Sequence, residues 1–139
     1  APETAVPMLM CVGTEDELQP FDGEDDPHFG TGSSLSAPAT RDLWIAANNC
    51  DPDPVSVEQL PDRTPNDGST IRVERYRGGA DSAPLDYYVM AGGGHIMPSI
   101  AHVVPRWIRN VLPLGNQNQD VEGAVQAWEF MAQFSRAAD

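Results

Sequence analysis

Met8-Leu9-Met10-Cys11-Val12 is an unbroken apolar run that stops at Gly13. Such a run has the pattern of a strand buried on both faces, and a strand of that kind needs other strands beside it and helices on two sides. The remainder of the chain offers few elements for the task. Ser36 is placed to cap a helix with Pro38 in its first turn, running through Leu43, Trp44 and Ala47 to Asn48. Residues 70–76 alternate apolar and charged side chains as a half-exposed strand does, and residues 85–90 form the next strand after a loop over 78–84. Residues 51–68 carry four prolines and several acids and read as irregular.

Ile100, Val103, Val104, Trp107, Ile108 and Val111 fall at helical spacing, with Pro105 as a kink or as the true first turn. Asp120 is expected to cap a terminal helix over 120–136, with Val121, Ala124, Val125, Trp128 and Met131 or Ala132 on its apolar face. The order strand, helix, strand, strand, helix, helix predicts one α/β domain over 1–139. These elements cover only part of an open sheet, and an uncovered edge at 8–12 invites aggregation. The chain is therefore expected to complete a larger sheet supplied by another polypeptide.

With 139 residues the chain is long enough for one modest core and too short for two. Its formal charge of -13 argues against nucleic acid and anionic membrane surfaces as partners, since both recruit basic faces. Every basic residue is arginine, and no apolar run approaches the length of a membrane span. No leader pattern is visible, and an opening on Ala1-Pro2-Glu3 is read as a processed or cut end. Cys11, inside the apolar run, is expected to be a small buried hydrophobe. Cys50 sits at a helix end, and a bridge between the two stays open.

Chemistry concentrates at the ends of strands. Gly92-Gly93-Gly94-His95 follows the strand at 85–90, and three glycines allow a tight turn that aims the imidazole outward. Histidine is the side chain best suited to carry a proton near neutral pH, which makes His95 a candidate general base. Val12-Gly13-Thr14-Glu15-Asp16 places an acid beyond the first strand, at the start of a polar loop over 13–34. Carboxyl ends of strands in open α/β sheets are where sites assemble, so Asp16 and His95 can meet there. Glu17 and Asp22 are the competing acids. Asp22, Glu24, Asp25, Asp26 and His28 form an acidic cluster, but its spacing fits no calcium loop and Pro27 interrupts it; it reads as a solvated loop. His28 and His102 read as surface residues. No metal and no cofactor is expected.

The order acid then histidine is the second half of the α/β-hydrolase order serine, acid, histidine. The chain resembles the α/β-hydrolase family of polyhydroxybutyrate depolymerases and feruloyl esterases, the bacterial lipoprotein-type esterases. The resemblance runs through Pro7-Met8-Leu9, Gly13-Thr14-Glu15-Asp16, Pro20-Phe21-Asp22-Gly23, the helix with Trp44 ending Asn48-Asn49-Cys50, and Tyr76-Arg77-Gly78. Gly92-Gly93-Gly94-His95 with its loop over 91–99, and the segment from Asn118 and Asp120 through Trp128-Glu129-Phe130, complete it.

The resemblance implies that Asp16 is the triad acid and His95 the triad histidine of a serine esterase. It further implies secretion or a periplasmic location and Met97 as a substrate contact. Trp107 and Ile108 line an acyl or aryl pocket if the helix from Ile100 hangs over the site, and core packing is the other, favoured reading. Gly79 stands where the family has a cysteine partner for the helix-end cysteine, so the family's disulfide does not carry over. Met97 likewise replaces an aromatic residue. No serine lies in Gly-x-Ser-x-Gly. The resemblance thus implies a C-terminal half acting on a small ester or polyester, inactive alone, with the serine and oxyanion hole on an N-terminal half. Two other readings stand beside it: a hydrolase-derived binding or assembly module without catalysis, and a peptidase or lactonase of the same fold.

Overall fold

The structure, a computed structural model, describes residues 4–25 and 33–134. The elements are β1 (Met8–Gly13), α1 (Ala37–Ala47), β2 (Ser56–Gln59), β3 (Thr70–Tyr76), β4 (Leu85–Ala91), α2 (Arg106–Val111) and α3 (Gly123–Met131). They build a mixed, open four-stranded sheet in the order β1-β4-β3-β2. β1 runs parallel to β4, with Met8 opposite Leu85 and Gly13 opposite Met90. β4, β3 and β2 form an antiparallel meander. The fold class is α/β, and both candidate strands end at the same edge of the sheet.

β4 is the strand buried on both faces, from Leu85 through Met90. Leu85, Tyr87 and Val89 point to one side with Tyr76, where Ile45 and Trp44 of α1 and Met8, Met10 and Val12 of β1 cover them. Tyr88 and Met90 point to the other side with Ile71 and Val73, over which Leu9, Leu60 and Val121 pack. The period-2 alternation along β3 and β4 thus splits the apolar residues into two layers, as strand geometry requires. The second layer is thinly roofed: Val125, Trp128 and Met131 of α3 stay exposed, and of that helix only Phe130 is buried.

β1 lies at the edge of this sheet with one side of its backbone unpaired among the described residues. It is half-buried rather than enclosed, and Cys11 is exposed, which corrects the expectation of a buried cysteine. Cys11 and Cys50 are both free thiols, so the bridge left open above does not form.

α1 begins as its sequence predicts. Ser36 Oγ accepts from the Ala39 amide at 3.2 Å, and proline occupies the first turn. Asn48 then closes the helix and anchors the chain entering β1. Its side chain is fully buried and exchanges two hydrogen bonds with the Val6 backbone, at 2.8 and 3.0 Å.

Three expectations are corrected. Residues 56–59, within the stretch read as irregular, form β2; all four side chains are exposed and the strand is held by main-chain pairing to β3, which no hydropathy pattern reveals. The helical spacing from Ile100 yields a helix only over Arg106–Val111, because Pro105 marks the true start, one of the two roles expected of it, and Gln117 takes the Val104 amide that an earlier helix would use. Asp120 does not cap α3, which starts at Gly123. It is buried and accepts from the amides of Arg63 and Thr64 at 2.7 and 3.2 Å, tying the loop before β3 to the segment before α3. The terminal helix expected over 120–136 spans Gly123–Met131 and closes at Ala132, short of its expected end. Asp26 and His28 lie outside the described residues.

Candidate active site

Asp16 and His95 meet. His95 Nδ1 lies 2.8 Å from Asp16 Oδ2. The other carboxylate oxygen, Oδ1, accepts from the amides of Leu18 at 2.9 Å and Gln19 at 2.8 Å, a turn closed by the aspartate on its own loop. A carboxylate only accepts hydrogen bonds, so Nδ1 carries a proton, and in the neutral imidazole Nε2 keeps its lone pair. The Asp16 side chain is 11% exposed and that of His95 46%, so the acid sits beneath the ring and the ring faces outward. Glu17 and Asp22 are exposed and take no part in the pair. His102 is exposed as expected.

The pair depends on how closely the two loops approach. Glu15 donates its amide to Gly93 O at 2.9 Å, and the amide of Thr14 reaches Met90 O at 3.0 Å. A side chain at Gly13 would lie 2.6 Å from Gly94 O and 2.8 Å from Gly93 C, so only glycine lets the acid loop cross the histidine turn. Gly92 has φ +76°, the left-handed conformation that favours glycine. Its amide donates to Thr14 Oγ1 at 2.8 Å, and its carbonyl accepts from Asn116 Nδ2 at 3.1 Å. The Gly93 amide bonds to Met90 O at 3.1 Å and the Gly94 amide to Asn116 O at 2.9 Å. The turn's amides are all spent on shaping it, so none is left to serve a ligand.

Beside the ring runs an open groove of about 290 Å³, lined by Asp16, His95, Met10, Cys11, Phe21, Leu35, Ile96 and Met97 among others. Met10 and Cys11 are consecutive and point to opposite faces of β1, yet both line it. The groove therefore wraps the unpaired edge of that strand and ends at His95. On this exposed edge the Cys11 thiol donates to Met90 Sδ at 3.9 Å and is pushed up to about 11 by desolvation. A thiol that stays protonated near neutral pH is a poor nucleophile. Met97 lies in the groove wall. Trp107 does not: it is 70% exposed on α2 and lines no part of the groove.

The segment after His95 is fixed by two side chains without a helix. Gln117 is buried, donates to Met97 O and His102 O at 3.1 Å each, and accepts from the Val104 amide at 2.7 Å. Glu122 Oε1 accepts from the amides of Ala101 at 2.5 Å and Ile100 at 2.8 Å, and Oε2 from Ser99 Oγ at 2.8 Å. These bonds, the Ala101 amide foremost, hold the Glu122 carboxyl below its ordinary value of 4.5. A depressed folded-state value means the clasp stabilises this segment above the ordinary glutamate range and is lost as pH falls through the lower, folded value. The amide signals of Ile100 and Ala101 are therefore expected to titrate together with a midpoint below 4.5, and to stop titrating in Glu122→Gln. A midpoint at or above the ordinary value would contradict the clasp.

Sequence reasoning missed Thr14, Asn116, Gln117 and Glu122 as supports of the site. The polar run Asn116-Gln117-Asn118-Gln119 was the available signal, since such a run in a short acidic chain needs partners for its amides once buried. Among the described residues no cluster of His, Cys, Asp and Glu is arranged to hold a metal ion, and no helix is long and apolar enough to cross a membrane. Compared with models of protein families, with curated proteins and with solved structures, the chain shows no match.

Proposed function

We propose that this chain supplies the acid and the base of a serine carboxylic-ester hydrolase, and that the nucleophile arrives on a second polypeptide. The observation that carries this reading is the Asp16–His95 pair at 2.8 Å, with His95 in the wall of a groove along an unpaired strand edge. A base needs its tautomer fixed and its free nitrogen accessible, and the pair supplies both. Among the described residues no serine lines the groove.

In the proposed reaction a serine hydroxyl attacks the ester carbonyl while His95 Nε2 takes its proton. Asp16 steadies the imidazolium that forms, and that proton passes to the leaving alcohol as the carbon–oxygen bond breaks. Water then attacks the acyl-enzyme by the same route, His95 receiving its proton and returning it to the serine. The unpaired side of β1 is the place for the partner's strand. A parallel strand added there ends beside His95, where a serine on the following turn meets Nε2. The partner is thus an N-terminal half of the same α/β-hydrolase sheet, carrying Gly-x-Ser-x-Gly and the oxyanion donors. The exposed apolar side chains Leu35 and Met97 at the groove suit the acyl or aryl part of an ester.

The test is to purify the protein under native conditions with any chain that accompanies it, and to treat it with a fluorophosphonate. Intact-mass analysis is expected to place the adduct on a serine of the second chain within Gly-x-Ser-x-Gly. Stoichiometric labelling of one of this chain's own serines would overturn the reading.

A further inference from the structure

We infer that Asn116 is a positioning residue for His95, holding the base in register with Asp16 by clamping both ends of the glycine turn. The inference rests on the reading of His95 as the base. Asn116 touches neither Asp16 nor the ring. Its side chain donates to Gly92 O at 3.1 Å, and its backbone carbonyl accepts from the Gly94 amide at 2.9 Å. One residue thereby fixes the first and last peptide units of the turn, and His95 follows immediately. The neighbouring chain adds a steric stop, since Gly115 packs so closely that a side chain there would lie 2.9 Å from Gly94 Cα.

Asn116 is itself well braced. Its amide group lies against Gly68, where a side chain would come within 2.9 Å of Nδ2. On either side of Gly68, Asp67 and Ser69 belong to a buried network with Asn118 and Asp120. Asp67 also accepts from the Gln119 amide at 2.7 Å. Asn116 thus packs against the margin of a buried, hydrogen-bonded cluster whose residues do not line the groove. Precision in the turn matters because an Nδ1 to Oδ2 separation of 2.8 Å is a hydrogen bond, whereas one lengthened by about 1 Å is not. Loss of the Asn116 side chain removes the clamp on Gly92 and leaves that on Gly94.

The test reads the tautomer of His95 by two-bond proton–nitrogen correlation NMR, at a pH where the imidazole is neutral, on the protein as purified with any accompanying chain. The parent is expected to hold His95 as the Nδ1–H form, with exposed His102 as an internal reference. In Asn116→Ala and in Asn116→Asp, which keeps the size but loses the donor, the ratio of Nδ1–H to Nε2–H is expected to fall about tenfold toward that of His102. Asn118→Ala, which breaks the buried network without touching the turn, is expected to lower the melting temperature and leave the ratio in place.

An unchanged ratio in either folded Asn116 variant overturns the inference. So does an equal fall in Asn118→Ala, or a failure of both Asn116 variants to fold, since either makes the role structural. A parent His95 that already matches His102 refutes the base assignment itself, which separates the two failures.

Discussion

Under the proposed function, replacing His95 with alanine is expected to lower ester turnover about 10⁴-fold or more, while unfolding stability changes by less than about 1 kcal/mol. The asymmetry follows from the site. The ring is nearly half exposed and its side chain bonds only to Asp16 among the described residues, so little of the fold leans on it. Asp16→Asn gives the sharper result. The Asn carbonyl oxygen can still accept from Leu18 and Gln19, which turns its amide NH₂ toward Nδ1. An NH₂ group only donates, so the imidazole must move its proton to Nε2, the atom that accepts the serine proton in the proposed reaction. The loss is expected to be about 10³- to 10⁴-fold, and the double variant should be no worse than His95→Ala, because the two residues act as one unit. Hydrolysis of a p-nitrophenyl ester by the natively purified protein measures this. Asp16→Asn activity within tenfold of the parent would contradict the role given to Asp16.

The pairing of Asp16 with His95 was legible because its determinants are local: a strand pattern, glycines after it, and a chain order that brings two strand ends together. α1 was legible for the same reason, since Ser36 and Pro38 act within one turn. The misreadings share a different cause. β2 is defined by hydrogen bonds to β3 and exposes all its side chains, so its sequence carries no period. The segment from Ile100 has helical spacing, yet Gln117 takes the Val104 amide, which a helix from Ile100 would need for its first intrahelical bond, and Pro105 has no amide hydrogen to continue it. Asp120 looked like a cap because an acid before an apolar run usually is one; here two distant amides, of Arg63 and Thr64, take its Oδ1. In each case a partner far along the chain decided the matter. Trp107 is a misreading of another kind: apolar spacing promised it a neighbour, and the described chain places nothing over it.

The supports of the site are written in backbone contacts, and their removal is expected to do more damage than any groove side chain. Gly94→Ala is expected to cost about 3 kcal/mol or more of stability, a fall of about 10 °C in melting temperature for a chain of this size. A Cβ at Gly94 would overlap Leu114 O and lie 2.6 Å from Gly115 Cα and 2.9 Å from Leu114 C. All three atoms are backbone, so no rotamer change relieves the clash, and the 114–116 segment must move away from the turn. Gly13→Ala drives the same methyl between the acid loop and the histidine turn, 2.6 Å from Gly94 O. It is expected to separate Asp16 from His95 and to abolish turnover even where the variant folds. Gly79→Ala is the control, since a methyl there meets nothing within 4 Å, and its effect should stay within about 0.5 kcal/mol. Thermal melts of the three variants side by side decide the point. Gly94→Ala and Gly13→Ala melting together with Gly79→Ala would mean that the two loops are not in the contact that brings acid and base together.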